Sequence, residues 1–127
     1  MKHMKKLIAL TLVLMSVMAI ALPAYASGSL LAKPGEKNTT STFVCSGGSR
    51  VSYLVRATLR AGDTVRVFLD VYNPERNQWV ERDSVKWTTA GDHSTTLSYT
   101  LDSNENEVRL RTYGYEDNSG NISVSYW

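Results

Sequence analysis

Apolar and polar residues alternate one for one through most of the chain after Thr42. The clearest case is the segment 65–72, in which one parity is entirely valine and leucine and the other is mostly polar or aromatic. A two-residue period places successive side chains on opposite faces of an extended strand. No 3.6-residue period follows residue 26. This part of the chain is therefore predicted to be all-β.

Turn signals separate the alternating segments every dozen or so residues, including Ala-Gly-Asp at 61–63 and Asp-Asn-Ser-Gly-Asn at 117–121. About seven short strands result, at 42–45, 51–60, 65–72, 78–88, 95–101, 108–115 and 122–127. This spacing is typical of an antiparallel β-sandwich, immunoglobulin-like or jelly-roll-like, with a small β-barrel as the alternative. No segment is long enough for a helical crossover, which argues against a parallel sheet.

The segment 78–88 breaks the alternation. Glu81 and Asp83 share a parity with Trp79, Val85 and Trp87. A buried face does not accept unpaired carboxylates. The pattern therefore predicts either a β-bulge between residues 81 and 84 or an edge strand that is exposed to solvent on both faces.

Residues 1–26 have the pattern of a cleaved secretory signal peptide of bacterial type. A basic start is followed by an apolar run of 16 residues at 7–22, and Ala24-Tyr25-Ala26 supplies the small residues that signal peptidase requires. A membrane-spanning helix needs about 20 apolar residues, so an uncleaved anchor is not favoured. The remaining chain has no second apolar run. It is predicted to be secreted and extracellular, without stable membrane insertion.

Residues 27–41 show no period and contain Pro34 and Gly35. They are predicted to be a flexible N-terminal leader or an arm along a sheet edge, before a sandwich domain at 42–127.

Loss of the signal peptide changes the charge balance. Three of the fourteen basic residues lie in residues 1–26 and all twelve acidic residues lie outside it, so the remainder carries a net charge of −1. Net charge therefore gives no reason to expect a nucleic-acid partner. Cys45 is the only cysteine, which excludes an internal disulfide. Because Phe43 shares its parity, we expect a buried thiol in a monomer, with a Cys45-linked dimer as the alternative.

The sequence contains no motif for catalysis or cofactor binding. His93 and Cys45 are the only histidine and cysteine after residue 26, and no third residue to orient them can be named. Acidic pairs at 81/83 and 105/107 are ordinary on exposed strands, and short loops leave little room for a walled cleft. Loop oxygens at 117–121 and 102–105 could face Ca²⁺, but turn formation accounts for them equally well. We predict no enzyme, no cofactor and no metal.

A candidate binding surface follows if the third, sixth and seventh strands share a sheet, as in immunoglobulin-type sandwiches. Their outward side chains would then form one patch of Arg66, Phe68, Tyr72, Arg109, Arg111, Tyr113, Tyr115 and Trp127. Aromatic rings stack on sugar rings, and arginine offers forked donors to hydroxyls or carboxylates. The alternative is structural, because cross-strand pairs of this kind stabilise an exposed sheet by about 0.2–1 kcal/mol each.

These features favour an exported, non-enzymatic binding module whose ligand is a glycan or another cell-envelope surface. The alternative is a secreted effector, such as a bacteriocin-like toxin or an enzyme inhibitor, that acts on a protein. A self-associating matrix protein is a third interpretation.

Overall fold

The computed structural model describes residues 27–127, so the predicted signal peptide lies outside the described residues. Residues 27–127 form nine β-strands: β1 (Gly28–Ala32), β2 (Lys37–Thr39), β3 (Phe43–Val44), β4 (Arg50–Leu59), β5 (Val65–Asn73), β6 (Gln78–Trp87), β7 (Gly91–Thr100), β8 (Glu107–Gly114) and β9 (Ile122–Tyr126). The same residues contain no helix with the length and apolar character needed to cross a membrane.

The strands pair into two antiparallel sheets that pack face to face. The four-stranded sheet has the order β1-β9-β4-β7, and the five-stranded sheet has the order β2-β8-β5-β6, with β3 also paired to β8. This confirms the predicted all-β sandwich. The strand order is that of a jelly roll, in which strands from the two ends of the chain pair with each other. Two short strands in residues 27–41 account for the difference from the seven strands predicted.

Residues 27–41 are part of the sandwich and lie along its sheet edges, which agrees with the second of the two predicted alternatives, an edge arm, and not with a flexible leader. β1 pairs with β9 along its whole length, and β2 pairs with β8. The chain crosses from one sheet to the other between these strands, where Pro34 bridges to Gly114. A Cβ atom at Gly114 would collide with the backbone carbonyl of Lys33. The segment lacks a period because its strands are short and lie mostly on sheet edges, where only Ala32 is fully buried.

The core lies between the sheets and is built from one parity of each long strand. In β4 the alternation predicted from the sequence is the observed burial pattern. In β5 the predicted inward parity is buried, but Phe68 and Asp70 of the outward parity are buried as well. The fully or almost fully buried apolar side chains include Val55, Leu59, Val65, Val67, Leu69, Val71, Leu97, Val108, Leu110, Ile122 and Val124. The opposite parity of each strand forms the two outer faces of the sandwich.

The irregularity predicted for the segment 78–88 is a β-bulge in β6, which is also an edge strand. Leu69 pairs with Asp83 but Asp70 pairs with Glu81, so Arg82 is the extra residue. The Arg82 guanidinium lies over Tyr99 and its Nη2 is 3.4 Å from Oε2 of a Glu105 carboxylate that is only 2% exposed. Glu105 is therefore a structural anchor and not a solubilising surface charge.

Cys45 lies half-buried at the margin of the core, next to Phe43. Burial raises the pKa of the Cys45 thiol, because the thiolate is the charged form. A raised pKa lowers the fraction of thiolate, the reactive form, at neutral pH.

Candidate functional site

The structure brings most of the predicted surface together on the outer face of the five-stranded sheet. The third and sixth predicted strands are β5 and β8, and they are neighbours, with Phe68 opposite Arg111 and Arg66 opposite Tyr113. We call this surface the arginine–aromatic face; it comprises Arg66, Phe68, Asp70, Tyr72, Trp79, Lys86, Arg109, Arg111, Tyr113 and Tyr115. Seven of the eight predicted residues belong to it.

A buried carboxylate that the prediction did not include organises this face. Asp70 is 2% exposed and its Oδ2 accepts hydrogen bonds from Nε of Arg109 and Nε of Arg111, both at 3.0 Å. Arg111 Nη2 also lies 3.4 Å from Asp70 Oδ1. The sequence places Asp70 on the outward parity of its strand. Only the register between β5 and β8 places two arginines above it.

Three of the five aromatic rings of this face, those of Phe68, Trp79 and Tyr115, are already in contact with cations. The guanidinium carbon of Arg111 lies 3.8 Å from the Phe68 ring centroid and that of Arg66 lies 4.9 Å away. Arg109 lies over the Trp79 ring at 4.4 Å. Phe68 is consequently only 6% exposed. The face is thus a layer of ordered charge and not an open platform on which a sugar ring stacks.

Trp127 lies on the opposite side of the molecule, which corrects its predicted grouping. It follows β9, and its backbone exchanges hydrogen bonds of 3.0 and 3.2 Å with Leu54 of β4 in the four-stranded sheet. The immunoglobulin-type assumption failed here, because in the jelly roll the last strand enters the other sheet. Trp127 is 46% exposed, and the Arg56 guanidinium lies 5.3 Å from its ring centroid.

The outer face of the four-stranded sheet is rich in hydroxyl groups. Cross-strand register and parity place the following side chains on it: Ser29, Ser52, Thr58, Ser94, Thr96, Ser98, Thr100, Ser123 and Ser125. Part of this face forms a depression of about 490 Å³, here called the hydroxyl depression, that is lined by Arg56, Ala57, Thr58, Asp92, His93, Ser94, Ser123 and Ser125. Trp127 flanks it through its contact with Arg56.

The lining of the hydroxyl depression combines donors and acceptors in fixed positions. Arg56 is directly opposite both Ser94 and Ser125 in the register. Thr58 Oγ1 donates to Asp92 Oδ1 at 2.6 Å. Among residues 27–127, Arg56 takes part in no salt bridge, and its guanidinium lies near the Trp127 ring. A serine or threonine hydroxyl both donates and accepts, which suits a ligand that carries hydroxyl groups of its own.

His93 also borders the depression, and its ring is held in place. It stacks on Trp87 with a centroid distance of 5.4 Å, and its Nε2 lies 2.6 Å from the carbonyl oxygen of Thr89. Cys45 lies elsewhere, at the margin of the core. The histidine therefore shapes the wall of the depression.

The loops considered for Ca²⁺ use their polar side chains internally. Asn118 exchanges two hydrogen bonds of 2.8 Å with the backbone of Thr64, and Glu105 accepts one of 2.8 Å from the backbone of Asp102. Within the part of the chain that the structure describes, no group of three or more metal-ligating side chains is present.

Comparison with known proteins gives similarity at the level of fold. No family model and no curated protein matches the chain. Among solved structures, a "Family 16 Carbohydrate Binding Module-2" is similar with a TM-score of 0.52 and 8% identity, over 77% of this chain and 71% of that chain. A protein named PirA is similar with a TM-score of 0.52 and 10% identity, over 84% and 97%. At these identities the likeness shows the shared sandwich alone.

Proposed function

We propose that this protein is an exported, non-enzymatic module that binds glycans in the hydroxyl depression beside Trp127. The observation that carries the proposal is the exposed indole next to a depression lined by hydroxyls, a guanidinium and a carboxylate. The similarity of the fold to that of a carbohydrate-binding module supports the same class of ligand.

The chemistry of a sugar matches this combination. A pyranose ring has an apolar face of C–H groups that packs on an indole, and hydroxyls around its edge that need donors and acceptors. Trp127 offers the apolar surface, and Ser94, Ser125 and Arg56 lie in one cross-strand row that offers the polar groups. The ligand would thus span the indole and this row.

The same geometry favours binding over hydrolysis. Glycoside hydrolysis generally requires two carboxyl groups on opposite sides of the bond that is cleaved. Of the described residues that line the depression, Asp92 alone carries a carboxyl group, and Thr58 donates to it. The lining therefore holds a ligand but offers no acid and base pair.

The first test is the substitution Trp127→Ala. A glycan array identifies a ligand for the wild-type protein, and titration then compares the variants. We expect Trp127→Ala to weaken the affinity roughly 10- to 100-fold, as loss of an aromatic anchor does in other interfaces. The melting temperature should change little, because the side chain is 46% exposed.

Tyr113→Ala is the matched control, since it removes an aromatic ring from the opposite face. We expect it to retain the affinity of the wild-type protein. If Trp127→Ala binds normally while Tyr113→Ala does not, the glycan site lies on the arginine–aromatic face. If the wild-type protein binds no glycan, the proposal is wrong.

Export is part of the proposal and rests on residues 1–26. Expression of the full chain in a bacterial host with a general secretory pathway should yield secreted protein that begins at Ser27. Intact-mass spectrometry of the exported material measures this directly. Exported protein that retains residues 1–26 would contradict the predicted cleavage.

A further inference from the structure

Three cationic side chains of the arginine–aromatic face and one of the adjoining strand β2 lie in two neighbouring rows. The register places Lys37, Tyr113, Arg66 and Lys86 in one row across β2, β8, β5 and β6. The next row contains Thr39, Arg111, Phe68 and Ser84. We call Lys37, Arg66, Lys86 and Arg111 the basic cluster. Neither row contains an acidic residue.

Contacts within the fold stabilise this arrangement only in part. Arg66 contacts the Phe68 ring and Lys86 contacts the Tyr115 ring, but the two cations also repel each other. Arg66 and Lys86 are directly opposite each other, and like charges at directly opposed positions of two strands destabilise a sheet. Among residues 27–127, neither Arg66 nor Lys86 takes part in a salt bridge. Arg66 Nε is buried and has no hydrogen-bond partner. Two cations are thus held together with no anion between them.

Contacts with Asp70 and Phe68 hold the Arg111 guanidinium in place, and Nη1 is the nitrogen that Asp70 does not use. Two of its nitrogens bind the buried Asp70, and the guanidinium lies 3.8 Å from the Phe68 ring centroid. A guanidinium held in this way loses little conformational freedom when a carboxylate arrives. Asp70 is shared between Arg109 and Arg111, so its single charge does not neutralise both.

We infer that the basic cluster is a second binding site, and that its ligand is an acidic glycan that carries carboxylate groups. The charge of the cluster is complementary to a carboxylate, whose two oxygens match the fork of a guanidinium. The site is separate from the hydroxyl depression, since it lies on the other sheet. Evidence against a ligand in the hydroxyl depression is therefore not evidence against this second site.

The aromatic residues near the cluster argue against single-stranded nucleic acid. Such ligands require ring faces on which bases stack. Phe68 is 6% exposed, and the Lys86 ammonium lies 5.1 Å from the Tyr115 ring centroid. Residues 27–127 carry a net charge of −1, so any attraction for an anionic ligand is local to the basic cluster. Local charge is present without a stacking platform.

The test uses polygalacturonate and its fully methyl-esterified form, which share a sugar backbone but differ in charge. We expect the wild-type protein to bind polygalacturonate, and the double variant Arg66→Gln/Lys86→Gln to bind it at least about 10-fold more weakly. The esterified polymer should not bind through this face. Binding of polygalacturonate should weaken as salt is added, and more steeply for the wild-type protein than for the double variant.

Arg76→Gln/Lys33→Gln is the matched control, because it removes two exposed positive charges that lie outside the cluster. It should bind as the wild-type protein does. The melting temperature of Arg66→Gln/Lys86→Gln should be unchanged or higher, since the substitution relieves like-charge repulsion. Trp127→Ala should retain polygalacturonate binding.

Three outcomes would overturn the inference. The first is that the wild-type protein does not bind polygalacturonate. The second is that the control variant loses as much affinity as Arg66→Gln/Lys86→Gln. The third is that a single-stranded DNA oligonucleotide or dextran sulfate binds as tightly as polygalacturonate, which would make the surface a general polyanion site.

Discussion

Asp70→Asn is expected to lower the free energy of unfolding by about 3 kcal/mol, because it removes the charge from a buried ionic cluster. Asp70 is 2% exposed, and the side chains of Arg109 and Arg111 that donate to it are 26% and 19% exposed. The asparagine keeps the shape but leaves two neighbouring guanidinium groups without a counter-charge. Equilibrium unfolding in urea at pH 7 gives the difference.

Glu81→Gln is the matched control for this substitution. Glu81 pairs directly with Asp70 in the register but is exposed. Removal of an exposed charge changes stability by less than about 0.5 kcal/mol. If Asp70→Asn lowers the free energy of unfolding by no more than Glu81→Gln does, the solvent and not Asp70 stabilises the charges of Arg109 and Arg111.

A second substitution separates the charge from the packing. Replacement of Arg109 and Arg111 with methionine in the Asp70→Asn background should recover part of the lost stability, since it removes the unpaired charges. If stability falls further instead, the arginine side chains contribute mainly by packing on Phe68 and Trp79.

Asp63→Asn is expected to cost about 2 kcal/mol at pH 7, because the Asp63 carboxylate joins the two sheets at one end of the sandwich. It is 1% exposed and accepts hydrogen bonds from Nε of Arg60 at 2.9 Å and from the backbone nitrogen of Ser119 at 3.3 Å. Arg60 follows β4 of one sheet, and Asp63 precedes β5 of the other. The asparagine amide would turn its own N–H donor toward either Arg60 Nε or the Ser119 backbone nitrogen. Two donors cannot form a hydrogen bond, so one of these hydrogen bonds would be lost.

The cost of this substitution should depend on pH. Burial of Asp63 favours the neutral acid, but the hydrogen bonds from Arg60 and Ser119 outweigh it and lower the pKa of the carboxyl group. A pKa that is lower in the folded state contributes stability above the unfolded value of about 4. That contribution is lost as the pH falls through the folded pKa. The stability difference between wild type and variant should therefore shrink below about pH 4.

Asp117→Asn is the control, since Asp117 lies in the adjoining loop but is exposed. Thermal unfolding of the three proteins between pH 3 and pH 7 measures the effect. A stability difference between Asp63→Asn and wild type that is constant across this range would contradict the role assigned to the ionised carboxylate.

The sequence by itself determined the class of the fold and the orientation of most side chains. In β4 and β8 the two-residue period decided which side chains are buried, because the geometry of an extended strand fixes the face of each residue. In β5 it decided only the face, since contacts on the outer side also bury Phe68 and Asp70. The same rule predicted either a bulge or an edge strand in β6, since carboxylates lie in an apolar parity, and β6 has both features. It also placed Arg66, Phe68, Arg109 and Arg111 on the outer side of their strands.

Only the tertiary structure decided which strands lie beside one another. Pairing between distant strands depends on the closure of the whole sandwich, and the alternation within one strand carries no information about its partner. For this reason the arginines of β5 and β8 lie together as expected, because these strands are neighbours, whereas Trp127 lies in the opposite sheet with β9. The hydroxyl depression arises in the same way. Within each strand its serines and threonines give no sign of a site, and only the pairing of β4, β7 and β9 brings them to one face.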